Sequence, residues 1–166
     1  MTLLTQERLK EVLSYDPETG VFTRIRTTCP RAQAGKVVGS KSDEGYLRVR
    51  IDGQLYPLHR LAWLYMDGKF PKGDVDHINH DRTDNRIRNL RVVTPSENMK
   101  NQAMRCTNTS GVMGVSWNKR DNKWMAYIWS KGKMKHLGRY SDYFNAVCVR
   151  KAAEIRYGFH ENHGAC

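Results

Sequence analysis

The chain has 166 residues, 39% of them hydrophobic and 27% charged, enough for one large domain or two or three small ones. Lys and Arg number 28 against 17 Asp and Glu, so the net charge is +11, the pI is near 9.7, and the natural partner is a polyanion, most simply nucleic acid. No run approaches the roughly 18 apolar residues of a membrane span, and Met1-Thr2-Leu3-Leu4-Thr5-Gln6-Glu7 is too short and too soon acidic for a secretory signal.

Residues 5–14 read as a short amphipathic helix, capped by Thr5, with Leu9, Val12 and Leu13 as its apolar stripe. Asp16-Pro17-Glu18-Thr19-Gly20 is a turn, and residues 21–26 alternate like a strand. Residues 27–44 are polar loop with little strand. Residues 46–51 and 54–56 flank Asp52-Gly53, a strong signal for a two-residue hairpin. His59 to Met66 reads as a buried helix. Residues 74–102 look like strand, long loop, strand and helix. The last helix has Thr94 as N-cap, Pro95 in the first position and Glu97 three after the cap, a capping box. Residues 103–110 lack periodicity and read as a linker. Three strand-like runs follow (113–118, 124–129, 134–137), then a helix over 143–157 with Ala146, Val149, Ala152, Ala153 and Tyr157 on one face.

The expected organisation is an N-terminal strand-rich extension (1–55), a central domain (56–105) and a C-terminal module (106–166). Residues 107–166 carry 10 basic and 4 acidic side chains, residues 1–106 carry 18 and 13, so the last third holds more than half of the surplus charge. The cysteines, Cys29, Cys106, Cys148 and Cys166, form no C-x-x-C pair. They are expected to be reduced thiols of a cytosolic protein, with no zinc site.

The chemistry concentrates in Asp74-Val75-Asp76-His77-Ile78-Asn79-His80, Asp84-Asn85-Arg86-Ile87-Arg88-Asn89-Leu90 and Ser96-Glu97-Asn98. Cutting a phosphodiester requires a group that accepts a proton from water near pH 7, which an imidazole does. It also requires a hard cation, held by oxygen ligands, to neutralise the phosphate and the leaving oxygen. Asp76 and His77 are neighbours at a strand end, so they point to opposite faces and approach metal and water from different sides. Asn98, in the first turn of the capped helix, offers a second oxygen ligand. Asn89 ends the loop and is placed to tie it down.

Residues 56–101, from Tyr-Pro-Leu-His-Arg-Leu-Ala-Trp through Asp-His-Ile-Asn, Asp-Asn-Arg and Asn-Leu-Arg to Thr-Pro-Ser-Glu-Asn-Met-Lys-Asn, resemble the HNH endonucleases, best the phage and intron homing branch. The resemblance implies an α+β chain built on a ββα-metal nuclease finger. It implies His77 as general base and Asn89 as loop brace. It implies that Asp76 and Asn98 hold one divalent ion, Mg²⁺ or Mn²⁺, and that the cut leaves 5′-phosphate and 3′-hydroxyl ends. His80 stands where this branch usually carries Gly. His59 and Arg60 match its His-Arg before the finger, and Arg60 is a candidate phosphate contact.

Residues 110–158 (Ser-Gly-Val-Met-Gly-Val-Ser-Trp, Lys-Trp-Met-Ala-Tyr-Ile, Lys-His-Leu-Gly-Arg-Tyr, then an Ala-rich helix) resemble the AP-two/ERF DNA-binding domain, whose three-stranded antiparallel sheet, backed by a helix, enters the major groove. The helix covers one face of such a sheet. The other leaves Ser116, Trp117, Asn118, Lys119, Arg120, Lys123, Tyr127, Trp129 and Lys135 as candidates for phosphates, sugars and base edges, with Trp124 expected in the core. Arg24, Arg26, Arg48 and Arg50 alternate on N-terminal strands and make a second candidate phosphate surface.

The expected function is a site-directed DNA endonuclease, phage-encoded and acting in the cytoplasm of a bacterial host. Its partner is double-stranded DNA, bound as monomer or homodimer, with no membrane. A DNA-binding regulator with a decayed finger is the alternative, although Asp76, His77, Asn89 and Asn98 are all present. An RNA-binding or structural module lacks the aromatic RNA-binding signatures.

Overall fold

Thr5 caps α1 (Gln6–Val12), its hydroxyl accepting from the Arg8 amide at 3.2 Å, and Leu9 and Val12 are buried on the inner face. The computed structural model describes residues 3–165, so readings that touch Met1, Thr2 and Cys166 lie outside the described residues. Leu13 leaves the helix and starts β1 (Leu13–Asp16), which pairs antiparallel with β2 (Val21–Arg24). The sequence reading missed β1, because pairing with residues 21–24 outweighs the helical spacing of Leu13. β2 stops at Arg24, so Arg26 lies beyond the strand and the expected Arg24/Arg26 face is not formed there. In the connecting turn, the Asp16 carboxylate accepts from the Glu18 amide (2.9 Å) and the Thr19 hydroxyl (2.7 Å).

A second sheet has the order β3 (Ser40–Lys41), β4 (Leu47–Ile51), β5 (Gln54–Pro57). Its hairpin turns at Asp52 (φ 46°) and Gly53 (φ 82°), the two left-handed positions that an Asp-Gly turn supplies. Arg48 and Arg50 share one side of β4, opposite buried Val49, and the Arg50 guanidinium folds onto Gly53 O at 2.7 Å. α2 (Leu58–Asp67) buries Leu58, His59, Leu61, Ala62 and Leu64 and ends at left-handed Gly68. β6 (Asp74–His77) then pairs with β7 (Leu90–Val93), and a 3₁₀ turn (Ile87–Asn89) closes the intervening loop. α3 (Pro95–Met99) starts at the expected proline.

One apolar core runs through Leu4, Leu9, Leu13, Phe22, Val49, Leu58, Leu61, Val75 and Leu90. It joins the N-terminal strands to β6 and β7 in a single compact unit, residues 1–95. The compact units therefore do not divide at the expected 55/56 and 105/106 boundaries.

The second unit comprises residues 96–166. Its sheet has the order β10 (Lys133–Tyr140), β9 (Lys123–Ser130), β8 (Val115–Asn118), all antiparallel, with α4 (Tyr143–Arg156) packed against it. The expected linker belongs to this unit. The Met104 amide donates to Ala165 O, and the Gly164 amide to Gln102 O, so this stretch pairs with the chain's last turns. Asn108 holds the following loop, its Oδ1 accepting from the Gly111 and Ser110 amides at 2.7 and 3.1 Å. The buried face of α4 also differs from expectation. Ala146 and Ala153 are buried, but Arg150 and Glu154 take the place of exposed Ala152. Burial of that pair is tolerated because Arg150 Nε meets Glu154 Oε1 at 3.1 Å and Nη1 donates to Tyr127 O at 3.1 Å.

The fold is thus mixed α+β. Among the described residues no helix is long and apolar enough to cross a membrane. Cys29, Cys106 and Cys148 are exposed, unbridged thiols.

Candidate active site and nucleic-acid interface

β6 presents Asp76 and His77 on opposite faces. Asp76 stands across from Arg91, whose guanidinium donates to Asp76 Oδ2 from Nε (3.0 Å) and Nη2 (2.8 Å). A partly buried charge-assisted pair of this kind orients the carboxylate. His77 lies on the inner face, 4% exposed, with its ring 5.3 Å from that of His59 and 5.8 Å from that of Tyr46. Its Nε2 is 3.4 Å from Asn85 Oδ1. Burial pushes the His77 imidazole below its ordinary pKa, while Asn85 and the carboxylates of Asp76, Asp81 and Asp84 pull the other way. Burial also takes His59 down to about 4, helped by His77 and Arg60, so His59 is neutral at physiological pH.

Side-chain hydrogen bonds hold the loop between the two strands. Asn89 Oδ1 accepts from the Asn79 amide at 3.0 Å, and its Nδ2 donates to Asn79 Oδ1 and Asp84 O, both at 2.9 Å. Asp81 Oδ1 accepts from the Thr83 amide and hydroxyl, and the Arg86 guanidinium pairs with Asp84. His80 has φ 65°, a left-handed conformation that glycine adopts without strain.

Asp76 offers carboxylate oxygen, and Asn98, on α3 in the second unit, offers amide oxygen. Each is an oxygen donor of the kind that hard divalent ions take. Among the described residues no group of three or more His, Cys, Asp or Glu converges as a metal cage.

Two candidate contacts in the first unit are committed elsewhere. Arg60, on α2, donates to Pro71 O (2.8 Å) and Gly73 O (3.2 Å), so its guanidinium clamps the approach to β6. Arg50 is held on its own hairpin, as above.

In the second unit, strand register assigns the sheet faces, because paired residues share a side. Val115 pairs with Ala126, Trp117 with Trp124 and Lys135 with Ile128. Val115, Ala126 and Ile128 are buried, which marks this as the covered side. Trp124 is on it as expected, stacked edge-on with Trp117 (5.2 Å) and Tyr143 (4.7 Å). Trp117 and Lys135 are therefore not on the open face. Lys135 Nζ instead donates to Tyr157 Oη at 3.2 Å and lies over that ring.

The open side carries Ser116, Asn118, Lys123, Tyr127 and Trp129, together with Met125, Met134, His136 and Arg139. Lys119 and Arg120 sit in the adjoining turn, where Asn118 Oδ1 accepts from the Arg120 amide at 3.0 Å. The sequence reading missed Arg139 because it ended the third strand at Leu137, and it passed over His136 within that strand. The strand continues to Tyr140 through an irregularity between His136 and Gly138 that no periodicity reveals.

Residues 56–100 match the HNH endonuclease family. Protein 3.8 of Escherichia phage T7 is 34% identical over 90 residues, 54% of this chain and 74% of that protein. The "SPbeta prophage-derived putative HNH homing endonuclease YosQ" of Bacillus subtilis is 32% identical over 114 residues, 68% of this chain and 65% of that protein. The solved HNH homing endonuclease I-HmuI aligns over 91% of this chain and 88% of its own, with 20% identity and a TM-score of 0.43. Residues 56–100, which hold the Asp76-His77 and Asn89 geometry, are therefore an HNH endonuclease domain.

Proposed function

We propose that the protein is a metal-dependent DNA endonuclease that hydrolyses phosphodiester bonds at the β6–β7 loop, with His77 as general base. The observation that carries this reading is the pairing, inside the family-matched segment, of a buried imidazole with an adjacent carboxylate oriented by Arg91. His77 accepts a proton from the attacking water. The water oxygen bonds to phosphorus, the P–O3′ bond breaks, the departing O3′ takes a proton from solvent water, and the products are a 5′-phosphate and a 3′-hydroxyl. Asp76 and Asn98 are the residues that would hold one Mg²⁺ or Mn²⁺. When bound, that ion neutralises charge on the phosphate and on the departing oxygen. Asn89 keeps the loop in the shape that presents His77 and Asp76 together.

The second unit, in this reading, is an AP-two/ERF-like address reader that lays the open face of β8–β10 on duplex DNA. Its exposed Trp129, with Lys123, Arg139 and the Lys119-Arg120 turn, gives that face the mix of planar and cationic groups that DNA contact uses. One finger has one base, so a monomer cuts one strand per event, and a double-strand break takes a homodimer or two nicks. The phage relatives favour a role in the cytoplasm of a bacterial host.

The test is plasmid nicking with Mg²⁺ and with excess chelator, comparing the wild type with His77→Ala. The reading expects cutting only with metal, a loss of about 10²–10⁴ in rate for His77→Ala, and DNA binding retained by that variant. Cleavage persisting in chelator, or at the wild-type rate in His77→Ala, overturns it.

A further inference from the structure

We infer that Asn85 is a positioning residue that sets which nitrogen of His77 accepts the proton; this rests on the reading of His77 as general base. Asn85 is 1% exposed, at the inner end of the β6–β7 loop. Its amide orientation is set by its own contacts, because Nδ2 donates to Thr83 O at 3.2 Å, leaving Oδ1 to face His77 Nε2 at 3.4 Å. A carbonyl oxygen only accepts, so the hydrogen of the neutral imidazole belongs on Nε2. Nδ1 is then the basic nitrogen, as the partner of one ring nitrogen decides the state of the other.

The backbone around Asn85 is held from outside the loop as well as within it. Tyr15, on β1, donates its hydroxyl to Asn85 O at 2.7 Å, and the Ile87 amide donates to Pro17 O at 3.2 Å. Gly20 packs directly on this segment, since a Cβ there would lie 2.4 Å from Arg86 N and 2.6 Å from the Asn85 carbonyl carbon. Asn89 Nδ2 holds the preceding carbonyl, Asp84 O. The N-terminal hairpin thus fixes a side chain that orients the base, a purpose distinct from contact with DNA.

The experiment labels the histidines of the full chain with ¹⁵N. It reads the His77 tautomer at neutral pH by long-range ¹H–¹⁵N correlation, without DNA or metal, and assigns His77 by its loss in His77→Ala. The expected pattern is a proton on Nε2 in the wild type and in Asn85→Asp, which keeps an acceptor at the same place. Asn85→Leu, similar in size but with no acceptor, should lose that preference. It should also nick about 10- to 100-fold more slowly, the usual scale for removing an orienting partner, while Asn85→Asp retains most activity. The amide spectrum of Asn85→Leu separates lost orientation from lost fold. A wild-type proton on Nδ1, or an unchanged tautomer in folded Asn85→Leu, overturns the inference. Wild-type nicking by His77→Ala overturns the general-base reading instead, while the tautomer pattern still decides the role of Asn85.

Discussion

Gly20→Ala and Gly53→Ala form a matched pair. Both glycines are left-handed, at φ 75° and 82°, so alanine carries a similar backbone penalty at each, about 1–2 kcal/mol. Part of this is offset by the lower entropy of the unfolded chain, about 0.4–1 kcal/mol. Their surroundings differ. Nothing lies within 4 Å of a Cβ at Gly53, whereas at Gly20 it meets Arg86 N at 2.4 Å, the Asn85 carbonyl carbon at 2.6 Å and Asn85 Cα at 3.1 Å. All three are backbone atoms of a loop tied to Tyr15 and Pro17, so no flexible side chain can yield. Overpacking of this kind costs about 1–3 kcal/mol. Gly53→Ala should therefore destabilise the first unit by about 1 kcal/mol and Gly20→Ala by about 2–4 kcal/mol. Urea titration followed on the backbone amides of residues 3–95 measures both. The Ile87 amide, bonded to Pro17 O, should lose the most exchange protection in Gly20→Ala. At temperatures where it remains folded, Gly20→Ala should also nick more slowly, because it displaces Asn85. Equal destabilisation by the two substitutions would refute the close packing of the 16–20 turn on the loop.

His59 makes stability depend on pH. Its folded pKa, about 4, lies below the ordinary value of 6.5, so its contribution is fully present above pH 6.5 and is lost as pH falls from 6.5 towards 4. The limiting size is roughly 3 kcal/mol. Denaturant midpoints at pH 7.5 and 4.5 should converge in His59→Phe relative to wild type, and an identical pH slope in both proteins would remove His59 as the cause. On the second unit, Lys123→Ala with Arg139→Ala should weaken duplex binding and lower the log–log salt slope by about 0.9 for each phosphate left without its cation. Lys135→Ala, on the covered side, should leave the slope unchanged; a larger effect from Lys135 would reverse the assignment of the sheet faces.

Signals carried by neighbouring residues were legible in the sequence. The Thr5 cap, the Asp52-Gly53 hairpin and the Pro95 helix start each depend on two to four consecutive residues, whose backbone preferences act wherever the chain goes. Asp76, His77 and Asn89 were legible for a related reason: a strand end and a loop closure place them within one short segment, and their side chains have few other purposes together. The three-stranded sheet and its helix followed from periodicity over about 45 residues.

What the sequence left undetermined depends on partners far along the chain. Asn85 looks like an ordinary loop residue until Tyr15, 70 positions earlier, and the Gly20 turn close on it. Arg60 reads as a phosphate ligand until the 71–73 backbone takes both ends of its guanidinium. Lys135 falls on the covered side because the hairpin register, Lys133 opposite Ser130, sets it opposite Ile128. Arg139 reaches the open side because the irregularity after His136 shifts the strand by one residue, which moves side chains to the opposite face. Arg150 and Glu154 occupy the buried face of α4, which apolar spacing alone would fill with alanine, because Tyr127 O lies where it can accept from the guanidinium. Local preference and pattern therefore determined the elements and the reactive motif. Tertiary packing decided which polar groups are held in place and which remain exposed, because a hydrogen bond's partner is settled only when distant segments meet.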